Sequence, residues 1–164
     1  MSVNASAASA RRSSEVMRAI DQLRASSFDD SYAELESRFR ALEQRLLLQV
    51  ARTATERREL KRRIAETLFT EAFARQAAWP EFSRALRRIL RLGYSHVERR
   101  YHVASLYAQW CHEHPEHDSS RARRLLDDAE RSIQRLPRDS HTRSGLLKEL
   151  AALRARLQSP SERR

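Results

Sequence analysis

The sequence predicts an all-α fold, an antiparallel array of about five to seven helices arranged as a bundle or as stacked hairpins. Three observations predict it. The 164 residues include only 2 glycines and 4 prolines, too few to punctuate a fold of many short strands. Alanine, leucine, arginine and glutamate dominate, and all four favour helices. From Leu35 onward, apolar residues recur at intervals of three and four, the period of a helix face turned to a core.

Residues 1–12 are small, polar and aperiodic, and read as a flexible tail. Ser13 or Ser14 can cap a short first helix with Val16, Ile20 and Leu23 on one side. Asp29, Asp30 or Ser31 can cap a stronger one, whose row is Leu35, Phe39, Leu42, Leu46 and Val50. The row fades after Ala51 and resumes at Leu60, Ile64, Leu68, Ala72 and Phe73. Thr53 with Glu56 spells a capping box that would start a new helix there, so 31–78 is either a coiled-coil-like hairpin that protrudes or one long helix.

Pro80 and Gly93 bracket a compact helix, with proline in its first turn and glycine just past its end. Phe82, Ala85, Leu86, Ile89 and Leu90 are its expected core face. The helix expected from Ser95 to Glu113 is apolar on two sides, through Val97, Tyr101, Ala104 and Ala108 and through Val103, Leu106, Tyr107 and Trp110. After Pro115, Ala122, Leu125, Leu126, Ala129, Ile133 and Leu136 draw another helix that stops at Pro137. A last one, from Asp139 or Ser140, carries Leu146, Leu150, Leu153 and Leu157 before a polar end at 159–164. The length suits one helical domain over 13–158.

Residues 94–137 resemble a tetratricopeptide-type helical hairpin, in which small residues bring paired helices close. Ala104, Ala108, Ala122, Ala129 and Pro137 carry the likeness, and Tyr107 matches an aromatic of the first helix. The break at 114–119 is longer than that family's turn, and the expected Leu-Gly pair is missing. The resemblance implies a scaffold whose concave face takes a peptide or a partner helix, and assigns no individual residue a role.

The formal charge is +10, from 32 basic and 22 acidic residues, and only Lys61 and Lys148 of the basic ones are lysines. The excess is segmental: 60–92 hold 8 basic and 3 acidic residues, and 119–164 hold 12 and 6. Arg84, Arg87, Arg88 and Arg91 share a helix spacing, and Arg57, Arg58, Lys61, Arg62 and Arg63 cluster upstream. Such a set suits phosphate or an acidic partner, or forms a solvated face neutralised by neighbouring carboxylates. Specific base readout is not expected, because no tight-turned helix pair offers a polar recognition helix.

Cys111, His112, His114 and His117 are the one metal-like cluster, but the adjacent pair 111–112 cannot share a helix face, and no metal site is expected. Asp127 and Asp128 read as surface ion pairs with Arg131 and Arg124. The aromatics Trp79, Phe82, Tyr94, Tyr101, Tyr107 and Trp110 fall mostly on apolar rows and read as core, with Trp79 at a helix junction the exception. There is no glycine-rich phosphate loop, nucleophile elbow or His-Glu-x-x-His pair, so neither an enzyme nor a cofactor is expected.

The function expected is therefore binding: an adaptor or chaperone subunit of a larger assembly, such as a bacterial secretion apparatus. Leu35, Phe39, Leu42, Leu46 and Trp79 would contact a partner helix, a peptide or a second copy of the chain. The alternative is nonspecific nucleic-acid binding through the arginine faces. A basic helix on anionic lipid is a third reading, weakened because the apolar rows are needed for the core. With no apolar run of membrane-spanning length, no secretory signal and a single cysteine, a cytoplasmic location is expected.

Overall fold

The computed structural model describes residues 2–93, 96–138 and 140–158. It is all-α: seven helices, and no strand among the described residues. The chain divides into two compact units, Met1–Gly93 and Tyr94–Arg164, where the residue pattern suggests one domain over 13–158. No described helix is long and apolar enough to cross a membrane.

In the first unit the chain is ordered by caps. Ser31 accepts from the Glu34 backbone at 3.3 Å while the Glu34 carboxylate takes the Ser31 amide at 2.8 Å, a capping box that starts α2 (Tyr32–Gln49). Thr53 and Glu56 form the second such box and start α3 (Ala54–Ala74), which settles 31–78 as two helices. This hairpin does not protrude. Leu35, Phe39, Leu42 and Leu46 of α2 meet Leu60, Ile64, Leu68 and Phe69 of α3, and all eight are buried. Then α4 (Trp79–Leu92) begins with Pro80 in its first turn and lays Phe82, Ala85, Leu86 and Ile89 onto α3. Phe82 and Phe69 meet as tilted rings with centroids 5.1 Å apart.

Directions follow from the bonds at the helix ends. Arg62, in the first half of α3, donates at 3.0 Å to the carbonyl of Gly93 at the far end of α4, and with only four residues between the two helices α4 runs antiparallel to α3. Arg75, just past the end of α3, donates to the Ser27 carbonyl at 2.8 Å, so α2 is antiparallel to α3 as well. Gly93 stands at φ 73, in the left-handed half of backbone space that a helix end often needs and glycine adopts freely. At the end of α3 the same role falls to Gln76, at φ 50. Its amide donates to Phe73 O at 3.0 Å and that of Ala77 to Ala72 O at 2.9 Å, which together make a Schellman motif closed by buried alanines.

The expected tail is helical instead. Helix α1 runs Ser2–Ala25, because its alanines favour helix even without an apolar row and because Ser9 and Arg12 both donate to Glu56. It lies parallel to α3, with Arg12 near the beginning of that helix and Arg24 near its end, beside Glu71.

The second unit holds α5 (Val97–Glu113), α6 (Ser120–Gln134) and α7 (His141–Gln158). Arg100 donates to Ser132 at 3.0 Å, joining the start of α5 to the end of α6, so the two are antiparallel. Their seam is built on small buried residues, Ala104 and Ala108 against Ala122 and Ala129, with Val103, Tyr107, Leu126 and Ile133 around them. Helix α7 lies on both, but only Leu150 of its row is fully covered; Leu146, Leu153 and Leu157 are half-buried. Ser140 caps it, accepting from Arg143 N at 3.4 Å. Tyr94, Ser95, Asp139 and 159–164, which figure in the expected aromatics and helix ends, lie outside the described residues.

Candidate functional site

The apolar row proposed to meet a partner is filled from within. Leu35 and Phe39 are 0% exposed, Leu46 3% and Leu42 6%, because α3 and α1 already cover them. Of the expected partner contacts only Trp79 stays half-open, leaning on Phe82 with centroids 6.4 Å apart. The correction has a simple cause: four helices in one small unit need every strong apolar row for their own core. Phe28 and Leu48 are the large apolar side chains left most open, at 84% and 81%, but they sit at opposite ends of α2 and form no patch.

Two accessible clefts lie along α1. On one flank, a cleft of about 190 Å³ has Val16, Val50, Ala51 and Leu60 as its floor and Arg12, Glu56, Glu59 and Arg63 at its rim. On the other, an open groove of about 580 Å³ runs between Ala19, Gln22, Leu23 and Ser26 of the α1 side and Arg38, Ala41, Leu42 and Arg45 of α2. Helix α1 thus sits in a seat wider than itself. Among its described side chains, only Val16 and Ile20 are buried, at 7% and 2% exposure, and Met17 beside them is 38% exposed.

The rest of its attachment is ionic. Glu56 is the main anchor: one carboxylate oxygen takes Arg12 at 2.7 Å and Ser9 at 3.0 Å, while the other takes the Arg52 and Thr53 amides at 2.9 and 3.1 Å. Arg12 first, then these amides and Ser9, hold the carboxyl down at about 2. At the far end Arg24 reaches Glu71 at 2.9 Å, and Arg75 takes the other oxygen of Glu71 at 3.1 Å. Arg12 and Arg24 remain 30% and 47% exposed, so solvent screens both pairs. Among the described side chains of this 24-residue helix, two fully covered apolar groups and two partly exposed ion pairs are a light fastening.

The nine expected cation positions divide. Arg84 takes Glu36 at 2.8 Å and Arg88 takes Glu43, tying α4 to α2; Arg62 and Arg63 take Glu59 at 3.0 and 3.1 Å. Arg57 donates to the Ala51 carbonyl at 3.4 Å. Arg58, Lys61, Arg87 and Arg91 are exposed and, among the described residues, make no ion pair. The cluster and the stripe thus hold two populations, one held by carboxylates or carbonyls and one facing solvent.

In the second unit the His114 ring stacks on Trp110 at 4.1 Å and His117 tilts onto it at 4.9 Å. No described group of three or more His, Cys, Asp or Glu is placed to hold a metal ion. Cys111 is buried, and burial pushes its thiol up to about 11, which leaves it a poor nucleophile. Tyr107 and Trp110 are core, and Tyr101 is half-buried against Glu149, to which it donates. Asp128 pairs with Arg131 rather than Arg124, and Asp127 pairs with Arg154 of α7 at 2.6 Å rather than with Arg131. Arg154 also takes Glu130 at 2.5 Å, so a neighbouring helix outcompetes the same-helix partner.

No protein-family model, curated protein or solved structure matches this chain.

Proposed function

We propose that the chain is a protein-interaction module, an adaptor or chaperone subunit that holds a partner helix or peptide within a larger assembly such as a bacterial secretion apparatus. One observation carries the reading. Two clefts of the first unit flank a lightly attached helix, the smaller one is floored by apolar side chains, and neither offers a carboxylate free of an arginine. Such a surface suits an apolar side chain and gives an acid–base reaction no group to work with. The half-covered leucines of α7 are compatible with the same kind of contact in the second unit.

The test is capture from host extract by the full chain and by Ala41→Trp, which fills the groove from an exposed position and leaves the core alone. The expected result is a discrete protein set retained through high salt by the parent chain and lost by the variant. Equal capture by both would remove the reading.

The exposed cations Arg58, Lys61, Arg87 and Arg91 favour a second reading, nonspecific binding of nucleic acid through its phosphates. Its signature is DNA or RNA affinity that falls steeply with salt and is lost in Arg87→Glu with Arg91→Glu. A shallow salt dependence, or binding unchanged in that variant, counts against it.

A further inference from the structure

The contacts of α1 describe a ligand. Arg12, Val16, Ile20 and Arg24 follow at four-residue steps, so they form one row along the helix, about 18 Å from end to end. The middle pair is buried, and the ends meet Glu56 and Glu71, the carboxylates near the two ends of α3. The face that α1 covers is therefore an apolar channel with an acid at each end, a pattern that selects a helix basic at both ends and branched-apolar between them.

The fit is loose. Ser9 and Ser13 line the cleft of about 190 Å³, and Ala19 lines the groove of about 580 Å³, so short side chains stand where the seat has room for longer ones. A second copy's α1 would leave the same space, whereas a helix with leucine at those positions would fill it.

Building on the interaction-module reading above, we propose that the α2–α3 face under α1 is the receptor for a partner protein's amphipathic helix, basic at both ends of an apolar row, and that α1 occupies this face until that helix displaces it. Partner binding is then a competition, and the affinity of the face is masked by the fraction of time α1 is seated.

A synthetic peptide of residues 7–25 carrying Ser13→Leu and Ala19→Leu is the probe, labelled for fluorescence anisotropy and titrated into the full chain. It should bind saturably, and about 10-fold more tightly to the full chain carrying Arg12→Ala and Arg24→Ala, whose own helix is unfastened. Replacing Arg12 and Arg24 of the peptide with glutamate should weaken binding about 10-fold or more. A peptide changed at Arg24→Glu alone should regain affinity on Glu71→Arg. Should Glu71→Arg fail to fold, the arginine-to-alanine comparison still decides, because both substituted positions are partly exposed. Affinity indifferent to unfastening α1 or to the peptide charges overturns the proposal. So does a stable dimer of the unfastened chain by light scattering, which would make a second copy the occupant. If the peptide does not bind while Ala41→Trp still abolishes capture from extract, the basic-helix receptor falls and the interaction-module reading stands.

Discussion

The Arg75 guanidinium donates to the Ser27 carbonyl at 2.8 Å, across 48 residues of sequence. The same side chain donates to the Asp30 carbonyl and, at 3.1 Å, to Glu71, and so joins the end of α3 to the turn between α1 and α2. Arg75→Ala leaves those acceptors without their donor and should cost about 2–3 kcal/mol in urea unfolding. Arg75→Lys should recover only part, since an ammonium cannot span the fork of acceptors.

The Schellman motif at Gln76 places a side chain where φ is 50. Gln76→Gly removes the steric penalty and should stabilise the chain by about 0.5–1 kcal/mol. Gly93→Ala should do the reverse, by about 1–2 kcal/mol. At Gly93 an added methyl would meet nothing within 4 Å, so the whole effect there is backbone strain. Thermal unfolding of the two variants should move in opposite directions.

Glu56 gives a pH dependence with a definite sign. Its folded value of about 2 lies below the ordinary 4.5, so its contribution is complete above about 4.5 and disappears as pH falls through about 2. The attachment of α1 should loosen over that window, seen as lower amide protection, relative to the intrinsic exchange rate at each pH, in residues 7–25. In Glu56→Gln, which cannot ionise, protection of α1 should already be low at neutral pH and flat across the same range.

Cys111 should react slowly. With its thiol pushed up to about 11, roughly a thousandth is thiolate at pH 8, and the side chain is 3% exposed. Iodoacetamide labelling should be slow in native buffer and become fast in denaturant. Rapid labelling of the folded chain would contradict the placement of Cys111 in the α5–α6 core.

Much of the helix plan can be read in the residues, because capping is local chemistry. Thr53 with Glu56, Ser31 with Glu34, and Pro80 with Gly93 mark boundaries over three or four residues or by backbone preference alone. The segment 1–12 escapes this kind of reading: its helix has no apolar row and is stabilised by Glu56, a residue more than forty positions away. The candidate site was harder to see for the same reason. Nothing local in Arg84 and Arg88 announces Glu36 and Glu43, or distinguishes them from Arg87 and Arg91. A glutamine at the left-handed end of α3 gives no signal either, since glycine is the residue that normally reveals such a position.

Much of the packing joins helices that follow one another in the chain: α2 on α3, α3 on α4 and α5 on α6. A topology dominated by such neighbouring pairs gives up little loop entropy before most of its contacts form, and helical folds of this kind fold in microseconds to milliseconds. Each helix can find its neighbour soon after it emerges from the ribosome, so little greasy surface is left waiting on the nascent chain.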